Sequence, residues 1–200
     1  MLALIMAGGA GMRLMSGEKP LVPVNDRPMI AWVTGAFGAA GCDPVVVITS
    51  RTPLTGAWCR EHEIRVLPAA GKGYVEDMVE AVQALGEKDP LFISVSDLPC
   101  LGPQVIRKIR GVYRKSEKDA CSVWVPETLL NTTRDSMPYC ETVDGVIACP
   151  AGINILRGDR IGSPQDELKL LIRDRGLAFN VNTREDGSRA EEYLKKHPAG

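Results

Sequence analysis

The chain lacks a charge excess of either sign: 24 Lys and Arg stand against 25 Asp and Glu, leaving a net charge of −1. Nucleic-acid binders carry a basic excess, so that class is set aside, and any positive charge that matters must be local. Histidine is scarce, at 2 residues. His62 and His197 fall on surface-type helices, so no Ser-His-Asp set assembles. Aromatic residues make up only 5%, while Gly and Pro are plentiful at 20 and 14; that balance suits an α/β domain with many short loops. No apolar run reaches the length of a membrane span. The opening "MLALIMA" is too short for the core of a signal peptide, lacks a basic start and breaks at Gly8-Gly9,. No C-x-x-C pair occurs, which argues against a zinc site or a thioredoxin-like motif. Cys42, Cys59, Cys100, Cys121, Cys140 and Cys149 lie mostly in apolar surroundings. They are expected to be reduced, buried thiols of a soluble, cytoplasmic protein.

What is present alternates between strand and helix. Leu2 to Met6 reads as a buried strand, and Pro28 to Ala40 as a helix ending at Gly41. "PVVVITS" is a β-branched run of the kind buried on both faces,. Thr52-Pro53 then opens a helix, with Thr52 as its cap. "IRVLP" is the next strand. "GKGYVEDMVEAVQALG" is a glycine-rich loop and a helix, with Val75, Met78, Val79 and Val82 on one face,. "PLFISVSD", a helix over Pro103 to Lys115, and "ACSVWVP" continue the pattern. Beyond Pro126 it changes. A hairpin around Asp144-Gly145 and a further strand are expected, then a helix over Pro164 to Arg175, a last strand "LAFNVNT" and a last helix,. Residues 1–200 therefore read as one α/β domain, a Rossmann-like, mostly parallel sheet with helices on both faces,.

Chemistry concentrates where strands end. Gly8, Gly9 and Gly11 follow the first strand directly, where backbone N–H groups can approach an anion with no Cβ in the way,. Their spacing is G-G-x-G-x-R. This is neither the G-x-G-x-x-G of dinucleotide binding nor a Walker loop, which needs G-K-[ST],. Arg13 and Lys19 add two cations to the same loop, which favours a triphosphate over two solvated surface charges,. Asp97 closes the apolar run "SVSDLP". A carboxylate there is a poor packing choice and a good Mg²⁺ ligand. Its role as a cap is weak, because the next helix starts near Pro103. Glu76 and Asp77 stand in a first helical turn, where the dipole alone accounts for acids,. Asn180 and Asn182 share a face by the two-residue period, and Thr183 with Asp186 approximates a capping box,. With no protein nucleophile or base in view, the pattern suits a reaction whose nucleophile comes from the substrate.

Together "LIMAGGAGMR", "EKPL", "SVSDLP" and "NVNTRED" resemble the nucleotidyltransferase superfamily, which includes the molybdenum cofactor guanylyltransferases and sugar-phosphate nucleotidyltransferases. "GKGYVEDM", "PAGINIL" and "FNVNTRED" look like the archaeal-type GTP:adenosylcobinamide-phosphate guanylyltransferases of cobalamin synthesis. The resemblance implies the nucleotide-diphospho-sugar transferase type of fold. It implies attack of a substrate phosphate on the α-phosphorus of GTP. Ala7, Gly8, Gly9 and Gly11 would then cradle the triphosphate, Arg13 would hold its outer phosphates, and Lys19 would neutralise charge at the α-phosphoryl group. Asp97 and Asn182 would hold Mg²⁺. Gly71, Lys72, Gly73 and Gly152 would shape the guanosine pocket, with Thr49, Ser50 and Asn180 close by. Met12 departs from the Thr common in sugar-phosphate members. The expected partners are GTP and a corrinoid phosphate. Molybdopterin or a sugar phosphate is the alternative acceptor, and a non-catalytic nucleotide binder the alternative class. A homodimer is compatible with the sequence, which carries no signal of oligomeric state.

Overall fold

The β-branched runs become the middle of a sheet. A computed structural model describes residues 1–9, 17–130 and 139–197. In chain order its strands are β1 (Leu2–Met6), β2 (Pro23–Val24), β3 (Arg27–Pro28), β4 (Asp43–Ile48), β5 (Arg65–Pro68), β6 (Pro90–Val95), β7 (Ala120–Pro126), β8 (Glu141–Val143), β9 (Val146–Arg157) and β10 (Glu167–Leu171). Its helices are α1 (Met29–Ala39), α2 (Pro53–Glu61), α3 (Tyr74–Leu85), α4 (Pro103–Tyr113) and α5 (Arg184–Lys196). The main sheet runs β10-β7-β9-β6-β1-β4-β5, with β8 paired to β9, and β2 and β3 form a small separate ribbon. All its pairings are parallel except those of β9, which runs against β6, β7 and β8.

Successive side chains of β1 explain the two layers. Ala3 and Ile5 join one apolar cluster with Phe37 of α1 and Ile106 and Ile109 of α4. Leu4 and Met6 join another with Met78, Ala81 and Val82 of α3. Phe37 meets Phe92 of β6 edge to face at 5.3 Å, a geometry that adds about 0.5–1.5 kcal/mol to the area buried. Helices thus cover both faces, as expected. Val75 is the exception on α3: it is exposed, and Asp77 is buried in its place.

Three expectations for the second half fail. Pro164 to Arg175 is not a helix. "ELKLL" alternates charged and apolar residues and pairs parallel to β7 as an edge strand. "LAFNVNT" does not join the sheet. Arg175–Ala178 is a tight helical turn, and the chain beyond it is held by Phe179 and Val181 against α5. The hairpin at Asp144-Gly145, both at positive φ, leads into one long strand rather than two. The cysteine expectation fails in part as well. Cys42, Cys59, Cys100 and Cys121 are free and buried, but Cys140 and Cys149 form a disulfide. The hairpin register pairs Glu141 with Ala148, so the preceding and following residues face each other across the ribbon.

Thr52 also departs from its expected role. It precedes α2 without a side-chain cap bond, and its hydroxyl instead accepts from Thr49 N at 3.2 Å. The α2 N-terminus is capped by the distant Glu18 carboxylate. At α5 the capping box is present: Thr183 accepts from Asp186 N while the Asp186 carboxylate accepts from Thr183 N. Among the described residues no helix is long and apolar enough to cross a membrane.

Candidate active site

A cleft of about 360 Å³ opens where β1, β4, β5 and β6 end, the edge at which open parallel sheets bind ligands. Its first wall is the turn after β1. Ala7 is buried and extends the ladder, its N–H bonded to Val47 O at 2.8 Å. Gly8 packs so closely on Thr49 that an added Cβ would stand 2.5 Å from Thr49 Cγ2. The Thr49 hydroxyl in turn donates to Gly8 O at 2.8 Å. Gly9 also lines the cleft, and among the described residues, its chain neighbours aside, no atom lies within 4 Å of where its Cβ would be. Gly11 and Arg13 lie outside the described residues.

The second wall is the loop from Gly71 to Gly73, before α3. Gly71 and Gly73 have φ of 76° and 153°, values that side-chain-bearing residues rarely adopt. The Asp77 carboxylate accepts from Gly71 N at 2.9 Å and Lys72 N at 3.0 Å, while Glu80 accepts from Ala70 N at 3.2 Å. Of the two acids that the helix dipole seemed to explain, Asp77 therefore holds the loop's own amides. Of these residues Gly71, Gly73 and Asp77 line the cleft; Lys72 does not.

Lys19 closes the cleft from beneath. Its ammonium forms an ion pair with the Asp97 carboxylate, both side chains being 14% exposed, and donates to Asn182 Oδ1 at 2.8 Å. Asn182 Nδ2 donates to Asn180 Oδ1 at 2.9 Å, which turns the amide oxygen toward Lys19. Val181 N donates to Asp97 O at 3.0 Å, so the segment carrying Asn182 is tied to the strand end carrying Asp97. Three residues far apart in sequence thus meet, as the motifs implied. Asn180 and Asn182 share a side, although no strand carries them.

The other expected residues are placed less directly. Gly152 has φ of 74° and backs onto Val95, where a Cβ would come within 2.8 Å of Val95 Cγ2. Val95 lines the cleft, so Gly152 shapes it from behind. Ser50 is exposed and does not line it. Arg51, Tyr74 and Ser96 do line it, although the motif reading passed over them. Their signal is position, one to three residues beyond a strand end or a glycine. Tyr74 as a residue is 44% exposed. Its hydroxyl is nonetheless pushed up to about 12, first by desolvation and then by the Asp97 carboxylate. It stays a neutral hydrogen-bonding group at neutral pH.

The donor set suits a hard divalent cation. Asp97 Oδ1 is buried and has no hydrogen-bond partner among the described residues, an arrangement that costs free energy unless something else satisfies it. Asn182 offers a neutral oxygen nearby. Among the described residues no group of three or more His, Cys, Asp or Glu gathers. Mg²⁺ is bound in this way, by one or two carboxylates with water and substrate phosphates completing its shell.

The chain as a whole is similar to known proteins. A model of the MobA-like NTP transferase domain matches residues 3–148. The chain is 31% identical to the adenosylcobinamide-phosphate guanylyltransferase of Methanocaldococcus jannaschii, over 97% of each sequence. Two solved structures share the fold at low identity. A CMP:2-keto-3-deoxy-manno-octonic acid synthetase complexed with CTP has a TM-score of 0.74 and 15% identity over 98% of each chain. A hypothetical transferase from Thermus thermophilus has a TM-score of 0.68 and 18% identity, covering 94% of this chain and 100% of its own. The fold is that of the nucleotide-diphospho-sugar transferases, and the chain belongs to the MobA-like NTP transferase family, a nucleotidyltransferase family.

Proposed function

We propose that the protein transfers the guanylyl group of GTP to adenosylcobinamide phosphate, giving adenosylcobinamide-GDP and pyrophosphate, in cobalamin biosynthesis. The observation that carries this reading is the convergence of Lys19, Asp97 and Asn182 beside two glycine loops. It occurs in a chain that matches the guanylyltransferase relative along nearly its whole length. A phosphate oxygen of the acceptor attacks the α-phosphorus. The bond from that phosphorus to the oxygen bridging the β-phosphate breaks, and pyrophosphate leaves with the bond's electron pair. Since the acceptor supplies the nucleophile, the protein's task is positioning and charge neutralisation.

Gly8, Gly9 and Gly11 give the triphosphate close access to backbone amides, and Arg13 holds its outer phosphates. Lys19 stands where negative charge collects at the α-phosphoryl group. Asp97 and Asn182 are the residues that would hold Mg²⁺. When bound, the ion neutralises phosphate charge and orients the α-phosphoryl group. Gly71, Gly73 and Gly152 shape the nucleoside pocket, and Thr49 keeps its two glycine walls in register. The residues of each described site come from one chain, so a homodimer would carry two sites. The buried free thiols fit a cytoplasmic enzyme.

The deciding measurement is pyrophosphate release from GTP with and without adenosylcobinamide phosphate, next to a panel of other nucleoside triphosphates, molybdopterin and sugar phosphates. Release that requires GTP and the corrinoid phosphate together is the expected result. Turnover with a sugar phosphate or molybdopterin, and none with the corrinoid, overturns the acceptor assignment. No turnover with any pair, alongside tight nucleotide binding, overturns the assignment of chemistry.

A further inference from the structure

Glu18 lies next to the cleft lysine, and its side chain points away from the chemistry. Its carboxylate accepts from Leu54 N at 2.7 Å, Thr55 N at 2.6 Å and Thr55 Oγ1 at 2.6 Å. The two amides belong to the first turn of α2, where N–H groups have no partner within the helix. A local side chain ordinarily serves them. Here Thr52 is engaged with Thr49, and the cap arrives from 36 and 37 residues away in sequence. No residue separates this anchor from Lys19. The chain then turns at once, with Leu21 N bonded to Glu18 O at 2.9 Å and Val22 N to Lys19 O at 3.1 Å. Pro20 is buried within that turn. The backbone carrying Lys19 is therefore fastened immediately before the lysine by three charge-assisted bonds and immediately after it by a rigid turn.

We infer that Glu18 is a positioning residue. It docks the lysine-bearing loop onto the α2 N-terminus and so sets where the Lys19 ammonium stands relative to Asp97 and the transferred phosphoryl group. The phosphoryl part of this statement rests on the proposed function; the placement of Lys19 against Asp97 does not. The effect passes through one residue, so it disappears when that residue is removed.

The test is a double-substitution cycle in the full chain, with Glu18→Ala, Glu18→Gln, Lys19→Ala and the Glu18→Ala/Lys19→Ala pair. Glu18→Ala is expected to lower kcat for pyrophosphate release about 10-fold or more, as small misplacements of catalytic groups do. The KM for GTP should move less than about 3-fold, because the contact matters most at the reacting phosphorus. Glu18→Gln keeps an oxygen acceptor for α2 and restores most of the rate. Added to Lys19→Ala, Glu18→Ala should cost nothing further. A multiplied loss in the pair, or a lower melting temperature with unchanged kcat, overturns the proposal. Should Glu18→Ala not fold, Thr55→Val removes one of the three donors at constant charge and takes its place in the cycle. A readout independent of turnover is the Lys19 ammonium resonance, assigned by its loss in Lys19→Ala. It should broaden away in Glu18→Ala and persist in Glu18→Gln. Persistence in both overturns the proposal even if GTP proves not to be the substrate.

Discussion

The two glycine loops of the cleft look alike in sequence and are built in opposite ways. Both follow a parallel strand, both carry glycines, and both have a lysine within reach. The loop before α3 is closed upon itself: Asp77 and Glu80 of that helix take its amides. The described residues at either end of the segment after β1 are braced from outside, Gly8 by Thr49 on the neighbouring strand end and Glu18 by the N-terminus of α2. A loop whose amides are already bonded makes a fixed wall for a flat, uncharged group. Glycine content alone does not separate these cases; the acids five to ten residues downstream of the amides they hold do.

This contrast can be broken at its strongest point. Lys19→Ala or Asp97→Ala should each cut turnover by about 10²-fold or more, the usual cost of removing a charge-stabilising group. Steady-state pyrophosphate release measures this, and near-normal rates would remove the chemistry from this side of the cleft. Asp77→Ala should raise the KM for GTP about 10-fold, since hydrogen bonds to a charged group contribute about 1.5–3 kcal/mol, and leave kcat within about 3-fold. A fall in kcat as deep as that of Lys19→Ala would mean that both loops do the same work.

Gly8→Ala sharpens the contrast by steric means. The added methyl meets Thr49 Cγ2, and overpacking of this kind costs about 1–3 kcal/mol. Thr49→Ser in the same chain removes Cγ2 and keeps the hydroxyl, and should recover most of the loss in a urea melt. Gly9→Ala, whose added methyl meets no atom of the described residues beyond its chain neighbours, should melt like the parent. The smallest effect expected at neutral pH comes from the buried thiols. Burial pushes Cys59 up to about 11 and Cys100 and Cys121 up to about 12, whereas an unfolded chain ionises its thiols near about 8.5. The unfolded state therefore loses these protons first. Stability should be full below about pH 8.5 and decline as pH rises toward 12, with a shallower decline in Cys100→Ala. Urea midpoints measured from pH 7 to 10.5 test the sign.

Where a run of β-branched residues or a helix stop was strong, the fold could be read from the chain. Val45 to Val47 and the turn at Gly41 are such places. "ELKLL" was not readable, because a short segment of two charges and three leucines fits either period, and only pairing with β7 selects the strand. The disulfide was hidden for a related reason: it follows from hairpin register, not from spacing between cysteines. In the site, Lys19 was legible as a cation that follows a glycine loop, and Asp97 and Asn182 as polar groups at the end of, or within, apolar segments. Arg51 and Tyr74 were not, since their place depends on how the turns at Thr49–Thr52 and Gly73 aim the next residue. Glu18 was invisible for the same reason, because its partners belong to another element.

Lys19 is separated from Asp97 by 78 residues and from Asn182 by 163. During synthesis the ammonium and the carboxylate can meet long before the asparagine has left the ribosome. The contact between Lys19 and Asn182 is therefore the later of the two to become available as the chain emerges. A truncation just before Asn182 takes away that residue and α5 but no strand of the sheet and neither member of the Lys19–Asp97 pair.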